Sequence, residues 1–184
     1  PRYSSQVPRL FETGFVGIDV ALVQASAPDA NGFMSLGVSV DITKAAVDNA
    51  SRVIVQVNTL MPRTLGDSFV NIADVDFVVP HDEPLLEYRA GVPDELAQRI
   101  GRHVARIVED GDTIQVGYGS IPNAILSSLS DKRHLGVHTE LMSDGIVELM
   151  RKGVIDNSMK SLGRGKTIAT FCMGTADTYA FIAD

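Results

Sequence analysis

Tryptophan is absent from the 184 residues, cysteine occurs once, as Cys172, and aromatic residues make up only 6%. A lone cysteine excludes an intrachain disulfide framework and a cysteine-rich zinc site. It fits a reducing compartment, so a cytoplasmic location is expected. No apolar run approaches the roughly 18 residues of a membrane-spanning helix, and no membrane partner is expected. Basic residues are also scarce: 16 Lys and Arg stand against 23 Asp and Glu, a formal charge of −7. That balance argues against general binding to nucleic acid or to an anionic membrane. The opening Pro1-Arg2-Tyr3-Ser4 has neither Met nor a signal-peptide pattern, and the closing Ala180-Phe181-Ile182-Ala183-Asp184 lacks a helix stop signal. Both ends read as cuts through folded structure, so the chain is expected to be a fragment.

What is present is ordinary for a globular protein: 45% apolar and 21% charged residues. Disorder, collagen and a bare coiled coil are thereby excluded. Short apolar runs bounded by turn residues predict strands at 18–24, 52–57, 77–79, 113–116, 136–139 and 167–173. Most are apolar almost throughout, as parallel strands buried on both faces would be. Helices are predicted between them at 42–50, 94–109, 121–129 and 145–151. The clearest is 94–109, with Leu96, Ile100, Val104 and Ile107 on one stripe and Gly111 as its stop. Strands alternating with helices predict an α/β fold. Residues 83–93 hold two prolines, mixed charge and no periodicity, which reads as a linker. The organisation expected is therefore 1–82, the end of one α/β domain, then the linker, then 94–184, the start of another.

Two segments carry chemistry. In Thr113-Ile114-Gln115-Val116-Gly117-Tyr118-Gly119-Ser120-Ile121-Pro122-Asn123-Ala124, a strand runs into a glycine turn that opens a helix. Glycines let backbone N–H groups approach a ligand, and a helix N-terminus adds free donors, so the turn suits a phosphate or an oxyanion. In Leu135-Gly136-Val137-His138-Thr139-Glu140-Leu141-Met142-Ser143-Asp144-Gly145, a strand ends at a carboxylate. Ligands of parallel α/β sheets bind at the carboxyl ends of strands. The glycine spacing, with an acid further on, also invites a dinucleotide reading. Pro122 stands where that fingerprint needs its third glycine, and the following helix is short.

These segments, with 28–41 and 56–68 in the first half, resemble the acetyl-CoA hydrolase/transferase family over essentially the whole chain. The most specific piece is His138-Thr139-Glu140 followed by Ser143-Asp144-Gly145. The resemblance implies a larger enzyme of two related α/β domains. It implies a CoA-transferase acting on a short acyl-CoA and a small carboxylate acceptor. Coenzyme A would be a substrate, with no cofactor held covalently at rest. An acyl-CoA hydrolase is the alternative, and a non-catalytic dinucleotide- or ligand-binding module the further one. A homo-oligomer is expected, and the fragment alone is expected to be inactive.

By position, Glu140 reads either as a solvated carboxylate or as a functional group; the resemblance implies the nucleophile. Gly117 and Gly119 either make a tight turn or cradle the thioester carbonyl, and the resemblance implies that the Tyr118 N–H donates to the oxyanion. Gln115 and Asn123 flank the turn, to fix substrate or cap backbone groups. His138 reads as structural rather than as a base, and with no second histidine at metal-ligand spacing no metal is expected. Asn58, Met61, Pro62 and Arg63 form a strand-exit loop suited to a substrate or interdomain contact. Arg151, Lys152, Lys160, Arg164 and Lys166 form a cluster, facing CoA phosphates or simply solvated.

Overall fold

The computed structural model describes residues 3–183, the side chain of Ser4 excepted. The chain forms two compact units, one chiefly up to Leu86 and the other Glu87–Phe181. Residues 81–94, which span the change, carry no helix or strand. Both units mix helices with mostly parallel strands, an α/β fold.

The first unit contains α1 (Val7–Glu12), β1 (Ile18–Ala25), β2 (Phe33–Ser35), α2 (Thr43–Asn49), β3 (Ala50–Val57), β4 (Phe69–Asn71) and β5 (Phe77–Pro80). β3 is central in a parallel sheet ordered β1-β3-β5, with Leu22 beside Ile54 and Ile54 beside Phe77. β2 and β4 pair antiparallel. Alternation along β1 and β3 sends Ala25, Val53 and Val55 into a core with Met34, Leu36, Val47 and Val70. The other face of the sheet departs from the expectation of two buried faces. Leu22 is 75% exposed, and Val20, Phe77 and Val79 are exposed as well.

The second unit contains α3 (Glu95–Ala105), β6 (Thr113–Ile114), α4 (Ser120–Ser127), β7 (Gly136–Val137), β8 (Leu141–Met142), α5 (Asp144–Arg151), β9 (Phe171–Cys172) and most of α6 (Ala176–Ala183). β6 pairs with β7 and β8 with β9, both parallel. The long strand expected at 167–173 breaks into a bridge, His138 with Ile168, and the short β9. α3 starts on Asp94, whose carboxylate accepts from the Ala97 N–H at 2.7 Å. It stops at Ala105, well short of Gly111, which makes a later turn at φ +85°.

The predicted stripe of α3 is only partly buried, with Ile100 and Val104 half-covered. Leu96 is 62% and Ile107 77% exposed, while Ala97, Gly101 and Ala105 are buried. These small residues recur every four positions and bring α3 against α4. A Cβ on Gly101 would lie 2.5 Å from the Ala124 carbonyl oxygen. Close backbone approach selects small side chains at the contact itself; Ile100 and Val104 are half-buried beside it, while Leu96, and Ile107 beyond the helix end, are exposed.

Candidate active site

The two candidate segments lie where the short strands of the second unit stop. The β6–β7 ladder runs one step past β7, with the His138 N–H donating to the Ile114 carbonyl at 3.1 Å. Beyond this, a side chain takes over the pairing. The Val116 N–H donates to the Thr139 hydroxyl at 3.0 Å, and that hydroxyl donates to the Val116 carbonyl at 2.9 Å. Thr139 is buried, and its own N–H turns the other way, to the Ile168 carbonyl at 2.9 Å. Glu140 comes next and is exposed. Its carbonyl accepts from the Thr170 and Phe171 N–H groups and from the Thr170 hydroxyl, at 3.0–3.2 Å. The main chain of Glu140 is thus held while its side chain stays accessible.

Val116 leads directly into the glycine turn. Gly119 has φ +123°, a conformation that side chains other than glycine strongly resist. A Cβ there would meet nothing within 4 Å, so backbone angle rather than crowding demands glycine. Gly119 caps α4 without a side chain of its own, and no side-chain bond covers that helix start. Its first N–H groups are therefore available to an anion or an oxyanion.

A cavity of about 30 Å³ opens beside this turn, walled by Tyr88, Gly117, Tyr118, Gly119, Asn123 and Asp144 among others. Its wall passes from the glycine turn to Leu141 and Ser143, on the far side of Glu140 in sequence. The Tyr88 and Tyr118 rings pack at 5.3 Å between centroids, tilted by 41°. Hydrogen bonding to Tyr88, and then desolvation, raise the Tyr118 phenol above its ordinary pKa. Tyr88 is itself anchored through its N–H to the Gly174 carbonyl, 2.9 Å. It belongs to the stretch read as a linker, and only its aromatic character hinted at a wall.

The edge of β7 that faces away from β6 is also held by side chains. The Val137 N–H donates to Asn157 Oδ1 at 2.9 Å, and its carbonyl accepts from Lys160 Nζ at 2.7 Å. Asn157 is buried at φ +57° and passes its amide N–H on to the Thr167 hydroxyl. Lys160 is only 4% exposed, and its ammonium also donates to the Lys166 carbonyl at 2.6 Å. Burial lowers its pKa. The side chain passes so close to Gly136 that any Cβ there would collide with it. Lys160 therefore does not belong to a solvated or phosphate-facing cluster. Arg151 is committed as well, paired with Asp177 and stacked over Phe181.

The other candidates divide between the two units. Asn123 is half-buried in the cavity wall, while Gln115 and His138 are exposed. Asn58, in the first unit, is fully buried, and its amide is engaged with Gln24, the Glu83 carbonyl and the Leu60 N–H. In this fold it braces the strand-exit loop and offers no free group to a ligand. Arg63 donates to Asp29 and to the Phe33 carbonyl. Asp144 accepts at one oxygen from the Thr175 N–H and from the Thr175 and Thr178 hydroxyls, tying α5 to the start of α6. Cys172 is buried, which pushes its thiol up to about 12. Among the described residues, no helix is long and apolar enough to cross a membrane, and no three of His, Cys, Asp and Glu gather to hold a metal ion.

Residues 1–87 match the model of the acetyl-CoA hydrolase/transferase N-terminal domain. A 4-hydroxybutyrate coenzyme A transferase of Clostridium kluyveri is 46% identical over 99% of this chain and 42% of its own length. A succinyl-CoA:acetate/propanoyl-CoA:succinate CoA transferase of Fasciola hepatica is 40% identical over 99% of this chain and 38% of its own. Among solved structures, a 4-hydroxybutyrate CoA-transferase from Porphyromonas gingivalis superposes with a TM-score of 0.94 at 38% identity, covering 97% of this chain and 46% of that one. The chain thus spans about two fifths of the length of these curated relatives. On these matches, residues 1–87 carry the acetyl-CoA hydrolase/transferase N-terminal domain, and the whole chain is similar to CoA-transferases in sequence and in fold.

Proposed function

We propose that the protein to which this chain belongs is a CoA-transferase, moving CoA from a short acyl-CoA to a small carboxylate through covalent intermediates on Glu140. The two units would be the end of one CoA-transferase domain and the start of a second. The observation that carries the reading is an exposed Glu140 on a main chain braced to the residue preceding the glycine turn.

The chemistry needs a nucleophile and a donor for the charge that develops on the thioester oxygen. A Glu140 carboxylate oxygen attacks the thioester carbon, while the Tyr118 N–H stabilises the oxyanion. Collapse expels CoA thiolate and leaves an acyl-glutamyl anhydride. The thiolate then attacks the glutamyl carbonyl, releasing the first carboxylate and leaving a glutamyl-CoA thioester. An acceptor carboxylate attacks that thioester, and thiolate returns to the new acyl group, restoring Glu140. No net proton is taken up. Transfer is favoured over hydrolysis because the relatives at 40–46% identity are named as transferases.

The test uses the full-length protein. Glu140→Gln keeps the size but removes the nucleophile, so turnover should fall by several orders of magnitude while CoA still binds. Acyl-CoA followed by borohydride should inactivate the wild type, with the reduced residue mapping to the peptide spanning 138–142. Wild-type activity in Glu140→Gln, or a label on another carboxylate, overturns the reading.

A further inference from the structure

Thr139 has no part in the chemistry just described, yet it is the buried residue at the junction of both reacting segments. One of its chain neighbours is Glu140, and its hydroxyl is bonded to the residue directly before Gly117. A hydroxyl offers one donor and two acceptor sites, and here it satisfies both backbone groups of Val116 at 3.0 and 2.9 Å. The β6–β7 ladder would otherwise have ended with those groups buried and unmatched, since Val116 lies in the core. The backbone of Thr139 cannot serve, because its N–H is already directed to Ile168. The side chain thus lets the chain change partners at this point. The main chain around Glu140 joins the 168–171 segment while the hydroxyl keeps hold of β6.

We propose that Thr139 is a positioning residue that sets the register between the Glu140 carboxylate and the Tyr118 backbone N–H. The inference rests on the reading of Glu140 as nucleophile. The clamp lies close to both groups in sequence: Thr139 adjoins Glu140, and Val116 is separated from Tyr118 by Gly117 alone. Gly117 has no side chain to restrain it, so the placement of the Tyr118 N–H depends on how Val116 is held. Losing the hydroxyl would loosen one reacting group relative to the other without touching substrate. Misplacement by about 1 Å can cost about 10² in rate.

The experiment compares Thr139→Val, Thr139→Ser and Glu140→Gln in the full-length enzyme. Thr139→Val, matched in shape, should lower kcat by about 10² with little change in KM for acyl-CoA. It should also slow formation of the borohydride-sensitive thioester and speed hydrogen exchange at the Val116 amide. Thr139→Ser keeps the hydroxyl and should run close to the wild-type rate with Val116 protected. A Val variant with wild-type kcat, or one altered in KM alone, overturns the proposal. If the Val variant does not fold, the Ser variant decides: near-normal turnover supports the proposal, and a slow enzyme with a protected Val116 amide overturns it. If Glu140→Gln is inactive and Thr139→Val is normal, this inference alone fails. If Glu140→Gln stays active, the nucleophile reading fails and takes this one with it.

Discussion

The two units solve the same packing problem with different materials. In the first, eight-residue strands β1 and β3 run in continuous register, and the core is carbon: Met34, Leu36, Val53, Val55 and their neighbours. In the second, strands are two residues long, and side chains complete what the backbone ladders leave unfinished. Thr139 extends β6, while Asn157 and Lys160 edge β7. A long ladder is regular and places every residue alike. Short ladders finished by side chains let the main chain turn sharply, and the sharp turns here carry Glu140 and the glycine loop. The second unit is thereby committed to buried polar groups, each of which needs its partner.

Three substitutions test that contrast. The largest effect on stability should come from the apolar core. Leu36 is fully buried, so Leu36→Ala should cost about 2–5 kcal/mol by emptying its site. Thermal melting of the full-length protein should show the loss, with kcat of the folded enzyme unaltered at low temperature. A changed kcat would mean that the units are not functionally distinct in this way.

Asn157→Ala comes next. It strips the buried Val137 N–H and the Thr167 hydroxyl of their partner, a loss of about 1–3 kcal/mol. Unlike Leu36→Ala, it should slow turnover as well, because it frees the strand that leads to Glu140. Wild-type kcat with a lowered melting temperature would reduce the edge of β7 to scaffolding.

The smallest effect concerns acid. The Ser158 N–H and hydroxyl, with His134 at 2.7 Å, lower the Asp156 pKa from 3.8 to about 2. A carboxyl whose pKa is depressed in the folded state stabilises fully above its unfolded value and loses that contribution as pH falls. Asp156 should therefore add a small destabilisation between about pH 4 and pH 2. Acid titration of Asp156→Asn should show a shallower loss across that window. An identical acid profile would remove Asp156 from the forces that hold the 156–168 segment.

The sequence made much of this legible, and what escaped has physical causes. β1, β3 and β5 follow their apolar runs to within two residues at each end, because long ladders impose a period. β2, β4 and β8 lie outside the predicted strands; they are two or three residues long and sit in no longer apolar run. α3 misled because burial against α4 is set by backbone proximity, which favours Ala97, Gly101 and Ala105 over Leu96 and Ile107. At the site, the glycine turn and the exposed glutamate stand out as residue types. The supports do not. Nothing in Lys160, one of several cations in this stretch, announces that it will be buried beneath a strand. Its closest trace in the sequence is Gly136, the vacancy through which it passes. Asn58, a polar residue at a strand exit, reads as a contact residue in the sequence, and in this chain its amide braces the loop.

The contact of Gly101 with the Ala124 carbonyl also bears on how this protein can drift. In this chain Glu95, Arg99 and Arg102 of α3 are exposed. Position 101 tolerates a single letter of the alphabet, because a methyl group there would meet backbone, which has no rotamer with which to yield. Displacing α4 would displace Gly119 at its head. A helix outside the candidate site thus constrains the glycine turn, and a library randomised along α3 should keep small residues on its inner seam.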